Sequence, residues 1–454
     1  MSLSDEIVKY GEVLFEYEGK GIIYTEENDE YKCEFYACQF KNGKVMIGFS
    51  IPDSLVLNKQ IKEFSGNTFD KSWSLKTTGP FSEMFFKPDI TKDFYGSWIL
   101  FHTSRLIVMK DDKSENTKYS FGITNFEFAK INKKGQNLDI KKDLDIKIKV
   151  INNYREKINN IKAKKGIDIT GEIEILSSIS YKFEKIIEIV DNICFLLSLA
   201  RGTKIQYIYY KEKNVSDDHL VKIKHFSRVT NQYVPFKVID FFENMPISEF
   251  INQTYNQYAN NKKDYNLNKG IEALIYARST HDFLELRGVK LAVVLEILIN
   301  SFINNSENIG YIFPPKKYEK QIEKELYYCL NDKLKELEIG HDKIQELIGN
   351  ENNINLKSLN RKSFGNLIKK MFEQIGLKYN YKEIKLFKSS RNKLVHQGCF
   401  CSQIDSEKSI FSSPYAEYLF MINMLDKIFL TLIGFKGKYI DRSNPNNPQS
   451  LVLE

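Results

Sequence analysis

Arg391, Asn392 and His396, in the stretch RNKLVHQG, are the side chains of this sequence best suited to act on a phosphate. An arginine keeps its charge at every accessible pH and donates from five N–H groups, whereas an imidazole gives and takes protons. The surrounding segment, Tyr381 to Gly398, reads as a helix. At 100° per residue Ile384, Phe387, Leu394 and Val395 share one apolar arc, with Arg391 in its middle. A buried unpaired charge is costly, so Arg391 must meet a carboxylate, a bound anion or a wet cleft. Arg391 and His396 are five residues apart, roughly 7.5 Å along a helix axis, so both could reach one phosphate near the helix end. Asn392 and His396 share the edge beside that stripe, and Gly398 is a natural stop beyond them.

Glu296 lies in LAVVLEILI, flanked by Leu, Val and Ile, so its helix reads as buried all round and its carboxylate needs a partner. Arg391 is one such partner; Lys290, Arg287 and solvent are the others. Lys369, Lys370, Lys385 and Lys388 could extend a phosphate-binding path for RNA, although charged runs on a helix more often face solvent. His281, beside Arg278 and Asp282, is a second candidate for proton transfer. His102 reads as a strand residue, and His219 and His225 as loop residues with no partner spacing.

These residues need a helical frame, and the periodicity supplies one from Lys269 almost to Lys438. The apolar spacing predicts helices at GIEALIYARSTHDFLELR, GVKLAVVLEILINSFI, KYEKQIEKELYYCLNDKLKELE, around SFGNLIKKMFEQIGL, at the Arg391 segment and at AEYLFMINMLDKIFLTLIGF. Together they make a bundle. Leu14 to Phe128 reads differently, as alternating aromatic-rich runs such as YKCEFYACQF and KVMIGFSI. With Asn42-Gly43 and Asp111-Asp112 as turns, they predict an antiparallel β-sandwich or barrel-like domain. GEIEIL and KIQYIYY predict strands on either side of a helix ended by Arg201-Gly202. The expected fold is α+β and multidomain. It comprises an antiparallel β domain over 1–150, an α/β middle segment over 151–266, an all-α helical domain over 267–440 and a flexible tail over 441–454.

A chain of 454 residues exceeds one ordinary core. Its 66 basic and 59 acidic residues leave a net charge of +7, which permits nucleic-acid binding without arguing for it. Cys33, Cys38, Cys194, Cys329, Cys399 and Cys401 form no CxxC pair, and His396, Cys399 and Cys401 lack a fourth ligand for zinc. No metal and no cofactor is expected. No phosphate-cradling glycine loop, Ser-His-Asp pattern or metal-binding His pair is visible, which leaves the ATPase, acyl hydrolase and metalloenzyme classes without support. MSLSDEIVKYGEV lacks an apolar signal core, and Glu296, Asp426 and Lys427 interrupt the most apolar runs. A soluble cytoplasmic protein with no membrane partner is expected.

The Arg391, Asn392 and His396 pattern resembles the Arg-x4-6-His signature of the HEPN superfamily. The flanking sequence resembles the Apea-type branch, found in bacterial anti-phage and abortive-infection proteins. An upstream apolar helix with a single acid, here Glu296, is a further likeness. The likeness covers the helical C-terminal part and does not extend to the N-terminal third. It implies an all-α HEPN-type bundle and a metal-independent endoribonuclease. His396 would act as base or acid at the ribose 2′-hydroxyl, Arg391 would hold the scissile phosphate, and Asn392 would orient the pair. The products would carry a 2′,3′-cyclic phosphate and a 5′-hydroxyl. One copy of the motif implies a homodimer with a composite cleft. The implied effector acts on RNA, and its N-terminal β domain senses a phage-derived trigger or ligand or restrains the nuclease. Two alternatives stand beside it: a module that binds RNA or a nucleotide without turnover, and a dimeric interaction protein in which Arg391 only pairs with Glu296.

Overall fold

The computed structural model describes residues 7, 10–50, 60–84, 98–110, 117–128, 135–141, 143–164, 166–177, 181–228, 236–242, 245–305, 307–351, 353–404, 410–443 and 448–453. The chain separates into two compact units, residues 1–256 with 437–440, and residues 257–436 with 441–454.

The first unit opens with β1 (Val13–Thr25), β2 (Glu30–Phe40), β3 (Val45–Ser50), β4 (Ile61–Thr68), β5 (Ser74–Thr78), β6 (Phe81–Met84) and β7 (Trp98–Thr103). It continues with β8 (Arg105–Met109), β9 (Thr117–Thr124), β10 (Gln136–Leu138) and β11 (Leu144–Val150). After helix α1 (Tyr154–Lys164) come β12 (Ile169–Ser177), helix α2 (Phe183–Arg201), β13 (Tyr207–Asn214), β14 (Leu220–Phe226) and helix α3 (Ile247–Asn261). All 14 strands join one sheet, in the order β10-β11-β12-β9-β13-β14-β8-β5-β4-β1-β2-β3-β7-β6, with antiparallel neighbours. So many twisted strands do not stay flat. The sheet rolls until β2 meets β13 and β14 through side chains. Gln39 Nε2 donates to Ile208 O (2.7 Å) and Phe226 O (3.2 Å), and Gln39 Oε1 lies 2.8 Å from His225 Nδ1. Phe35, Val45, Phe64, Ile208 and Ile223 fill the core that this rolling encloses.

Several expectations change here. The strands form one hydrogen-bonded sheet where a sandwich would have two, and β12, β13 and β14 belong to it, so 151–266 is not a separate middle domain. β12 and β13, on either side of α2, run parallel because each pairs antiparallel with β9, which lies between them. That inserted strand comes from earlier in the chain, which no local reading of the segment contains. His225 is on a strand and not in a loop: it is buried, with Nε2 3.0 Å from Tyr17 Oη. Burial, with Lys211's charge added, pushes its imidazole down to about 3. The Asp111-Asp112 turn lies outside the described residues.

The second unit holds α4 (Leu267–Ala277), α5 (Leu284–Asn304), α6 (Pro315–Gln321), α7 (Glu323–Glu336) and α8 (His341–Ile348). It continues with α9 (Phe364–Ile375), α10 (Tyr381–Gln397), α11 (Cys401–Ile404) and α12 (Pro414–Leu432). α5 is its centre and packs against α4, α9, α10 and α12. α7 and α8 share a small core of their own around Tyr327, Ile344, Ile348 and Leu356. The predicted boundary at Arg287-Gly288 is absent. α4 stops at Ala277, Arg278 turns inward to an ion pair with Asp426 in which both side chains are fully buried, and α5 runs through Gly288. Gly288 serves close packing rather than chain breaking: a Cβ there would stand 2.6 Å from Phe400 Cζ and 2.8 Å from Leu394 Cδ2. The long helix expected from Lys317 is split at Ile322 into α6 and α7. Gln449–Leu453 is a strand where an unstructured tail was expected. No helix among the described residues is long and apolar enough to cross a membrane.

Candidate functional site

α10 is bounded by its own side chains. Asn380 accepts from the Lys382 N–H at 2.9 Å, and the Glu383 carboxylate accepts from the Asn380 N–H at 3.1 Å, which closes a capping box. The helix ends at Gly398, whose φ of +69° suits a residue without a Cβ and whose N–H bonds Leu394 O at 3.1 Å. Ile384, Phe387, Ser390 and Leu394 are buried, whereas Val395 is 43% exposed. The buried stripe is therefore centred between Phe387 and Leu394. That rotation carries Arg391 from the expected middle of the stripe to its margin, and turns Val395 out of it.

At that margin the guanidinium is held from three sides. Nη2 pairs with Glu296 on α5, Nη1 donates to Asn392 Oδ1 at 2.9 Å, and Cζ lies 4.5 Å from the centre of the Phe364 ring on α9. Nε is buried with no hydrogen-bond partner. The side chains of Arg391 and Glu296 are 16% and 30% exposed, so the pair reaches solvent at one edge. The other partners considered for Glu296 are engaged elsewhere: Lys290 with Asp282 at 2.5 Å, and Arg287 with Tyr418 Oη at 2.6 Å. α5 is not buried all round, since Val293 and Glu296 both lie on its solvent side.

His396 stands apart from this group. It is exposed on the last turn of α10, and no hydrogen bond joins its imidazole to Arg391 or to any other described residue. Five residues of helix turn the two side chains about 140° from each other, so a phosphate touching both would sit across the helix end. The chain just beyond is anchored by Glu417, a fully buried acid on α12. Its carboxylate accepts from Cys401 N (3.1 Å), Ser402 N (3.0 Å) and Ser402 Oγ (2.9 Å). The sequence reading passed over Glu417. Its signal, an acid followed by an apolar helical run, is close to the one that singled out Glu296.

The lysines divide. Lys388 runs its aliphatic stem over Gly365 on the first turn of α9, and Lys370 is exposed beside Lys362. Lys369 pairs with Glu373 at 3.8 Å, and Lys385 is exposed. His281 is exposed on the turn before α5. Phe364 and Lys362 were missed, and nothing in their spacing points to an arginine on another helix. Among the described residues no group of three or more His, Cys, Asp or Glu side chains could hold a metal ion.

No family model, curated protein or solved structure matches this chain. The functional reading rests on the residues of α5, α9 and α10 themselves.

Proposed function

We propose that this chain is a metal-independent endoribonuclease, an HEPN-type effector of bacterial anti-phage defence acting in the cytoplasm. The observation that carries the reading is Arg391: a permanent cation oriented by Glu296, Asn392 and Phe364 at a solvent-reaching edge, on the same helix end as an unbonded imidazole. Arg391 bonds a non-bridging oxygen of the scissile phosphate and stabilises the charge that develops on it. His396 takes the proton of the 2′-hydroxyl as that oxygen attacks phosphorus. The P–O5′ bond breaks, leaving a 2′,3′-cyclic phosphate, and the departing oxygen takes a proton to become a 5′-hydroxyl. A second copy of the chain completes the cleft. The N-terminal β unit is the place for a phage-derived trigger.

The test is cleavage of mixed cellular RNA in excess EDTA, with the product ends analysed. Cyclic phosphate ends from the wild type, absent with His396→Ala and Arg391→Ala at unchanged far-UV circular dichroism, are the expected result. Cleavage equal in all three proteins would overturn the reading.

The closed Glu296–Arg391 pair favours one other reading, in which the arginine holds α5 to α10 in a binding or interaction module without turnover. Arg391→Ala would then lower the unfolding midpoint, and RNA incubated with the wild type would remain intact.

A further inference from the structure

The inside of the β unit carries charge along one side. Tyr209 and Lys211 of β13 lie opposite Gly122 and Ser120 of β9, and these lie opposite Glu172 and Glu174 of β12, so all share one face of the sheet. That face looks inward. Tyr209 and Lys211 both meet Phe15 of β1 across the rolled sheet, whereas Tyr119 and Tyr210, on the other face, pack on Phe183 of α2. A small rolled sheet is ordinarily filled by apolar side chains, as this one is around Phe35 and Phe64. Inward charges mark a wet end or a place for a polar molecule.

Most of these charges satisfy one another. Lys149 of β11 and Lys118 of β9 both bond Glu174, at 2.7 Å and 3.1 Å, and Lys213 bonds Asp218 at 2.7 Å. Lys211 takes no part in this. It is only partly exposed, and neither a hydrogen bond nor an ion pair joins its amine to any described residue. The ammonium lies instead 5.4 Å from the centre of the Phe15 ring and 5.2 Å from that of Tyr209, two rings that meet edge to face. Burial pulls this amine below the ordinary lysine range, with Lys213 and Lys149 adding to the effect and Glu172 working against it.

The rings beside Lys211 are held in place. Gln39 Nε2 donates to two carbonyls, so its Oε1 accepts from His225 Nδ1, and His225 Nε2 is left to accept from Tyr17 Oη at 3.0 Å. His225 in turn packs on Phe15, with ring centres 5.0 Å apart. Gly122 makes room for the other ring: a Cβ there would stand 2.3 Å from Tyr209 Cζ. A cation without an acceptor is thus set against two fixed aromatic rings.

We propose that this part of the rolled sheet binds a small planar organic anion, with Lys211 on the anionic group and Phe15 and Tyr209 against the flat body. An enclosed ammonium is costly without an acceptor, and an anion supplies one. The ring faces favour a flat apolar body over a bare inorganic ion. Aromatic carboxylates and nucleoside monophosphates share this chemistry. The site lies within the β unit and is independent of Arg391.

The experiment is isothermal titration calorimetry of the full chain with naphthoate, adenosine monophosphate, the uncharged naphthalenemethanol and acetate. At least one of the two ring-bearing anions should bind at a single site per chain, and which one binds identifies the source. The uncharged ring and the ringless acetate should each bind more weakly by about tenfold or more. Lys211→Met keeps the apolar stem and removes the charge. It should weaken the bound anion by about tenfold or more, leave naphthalenemethanol unchanged, and leave the unfolding midpoint level or raised, because an enclosed charge without an acceptor is gone. A lysine that only supported the fold would lower that midpoint. Lys211→Arg, which keeps the charge, should retain most of the affinity, and with the wild-type preference for anion over uncharged ring it decides the matter if Lys211→Met does not fold. Neither anion binding at millimolar concentration, or equal binding by wild type and Lys211→Met, overturns the site.

Discussion

Glu296 on α5 and Arg391 on α10 are 95 residues apart in sequence and form an ion pair that reaches solvent at one edge. Partial exposure matters to its energetics. Solvent screens the charges and shares their hydrogen bonds, so the pair orients the guanidinium more than it stabilises the fold.

A double-mutant cycle with Glu296→Gln and Arg391→Met should give a coupling of about 1 kcal/mol in urea unfolding of the helical unit. Cleavage should fall much further than stability in Glu296→Gln, because a guanidinium free to swing no longer meets the phosphate. A coupling of several kcal/mol would mark the pair as structural.

Arg278 and Asp426 form the contrasting pair, fully buried, with Asp441 and Arg442 close enough to act on the carboxylate. Asp426→Ala strands a buried guanidinium and should cost about 3–5 kcal/mol. Arg278→Met/Asp426→Leu removes both charges and should recover most of that loss. Calorimetry of the three proteins decides it.

His225 gives the β unit a pH dependence whose sign follows from burial. Among Tyr17, Gln39 and Lys211 its imidazole titrates at about 3, against 6.5 for an exposed histidine. The native state thus binds fewer protons than the unfolded chain between those values. Stability is complete above about pH 6.5 and is lost as pH falls, by about 2 kcal/mol at pH 5. Urea midpoints from pH 8 to pH 5 should show this slope in the wild type, and His225→Gln should be flatter by the same amount. Parallel curves would contradict a buried neutral imidazole.

Two glycines near the site should fail for different reasons. Gly288→Ala places a methyl against Phe400 and Leu394, so overpacking of about 1–3 kcal/mol outweighs alanine's helix preference of about 1 kcal/mol. Gly398→Ala has open space around it but a φ of +69°, and the strain should cost about 1–2 kcal/mol. Gly398→Asn, which tolerates that backbone better, should recover part of the second loss, whereas Gly288→Ser should not recover the first. Thermal midpoints of the four variants test both.

Consecutive residues alone marked the N-terminal part as strand and most of the C-terminal part as helix, because backbone preference and the 3.6 or 2 residue period act over a few positions, but they did not mark the helices Tyr154–Lys164 and Ile247–Asn261. They placed α10 with its stop at Gly398, showed that Arg391 and Glu296 each needed a partner, and marked the N-terminal region as antiparallel strands. Tertiary packing decided the rest. Which carboxylate meets Arg391 depends on how α5 and α10 lie together, and the rotation of α10 that moved Arg391 to the edge of its stripe goes with the burial of Leu394 beside Gly288 of α5 and of Phe387 beside Phe420 of α12. The rolled order of 14 strands, the insertion of β9 between β12 and β13, and the burial of His225 against Tyr17 join residues far apart in the chain. Such contacts leave no local period to read, so Glu296 could be singled out in the sequence while Phe364 could not.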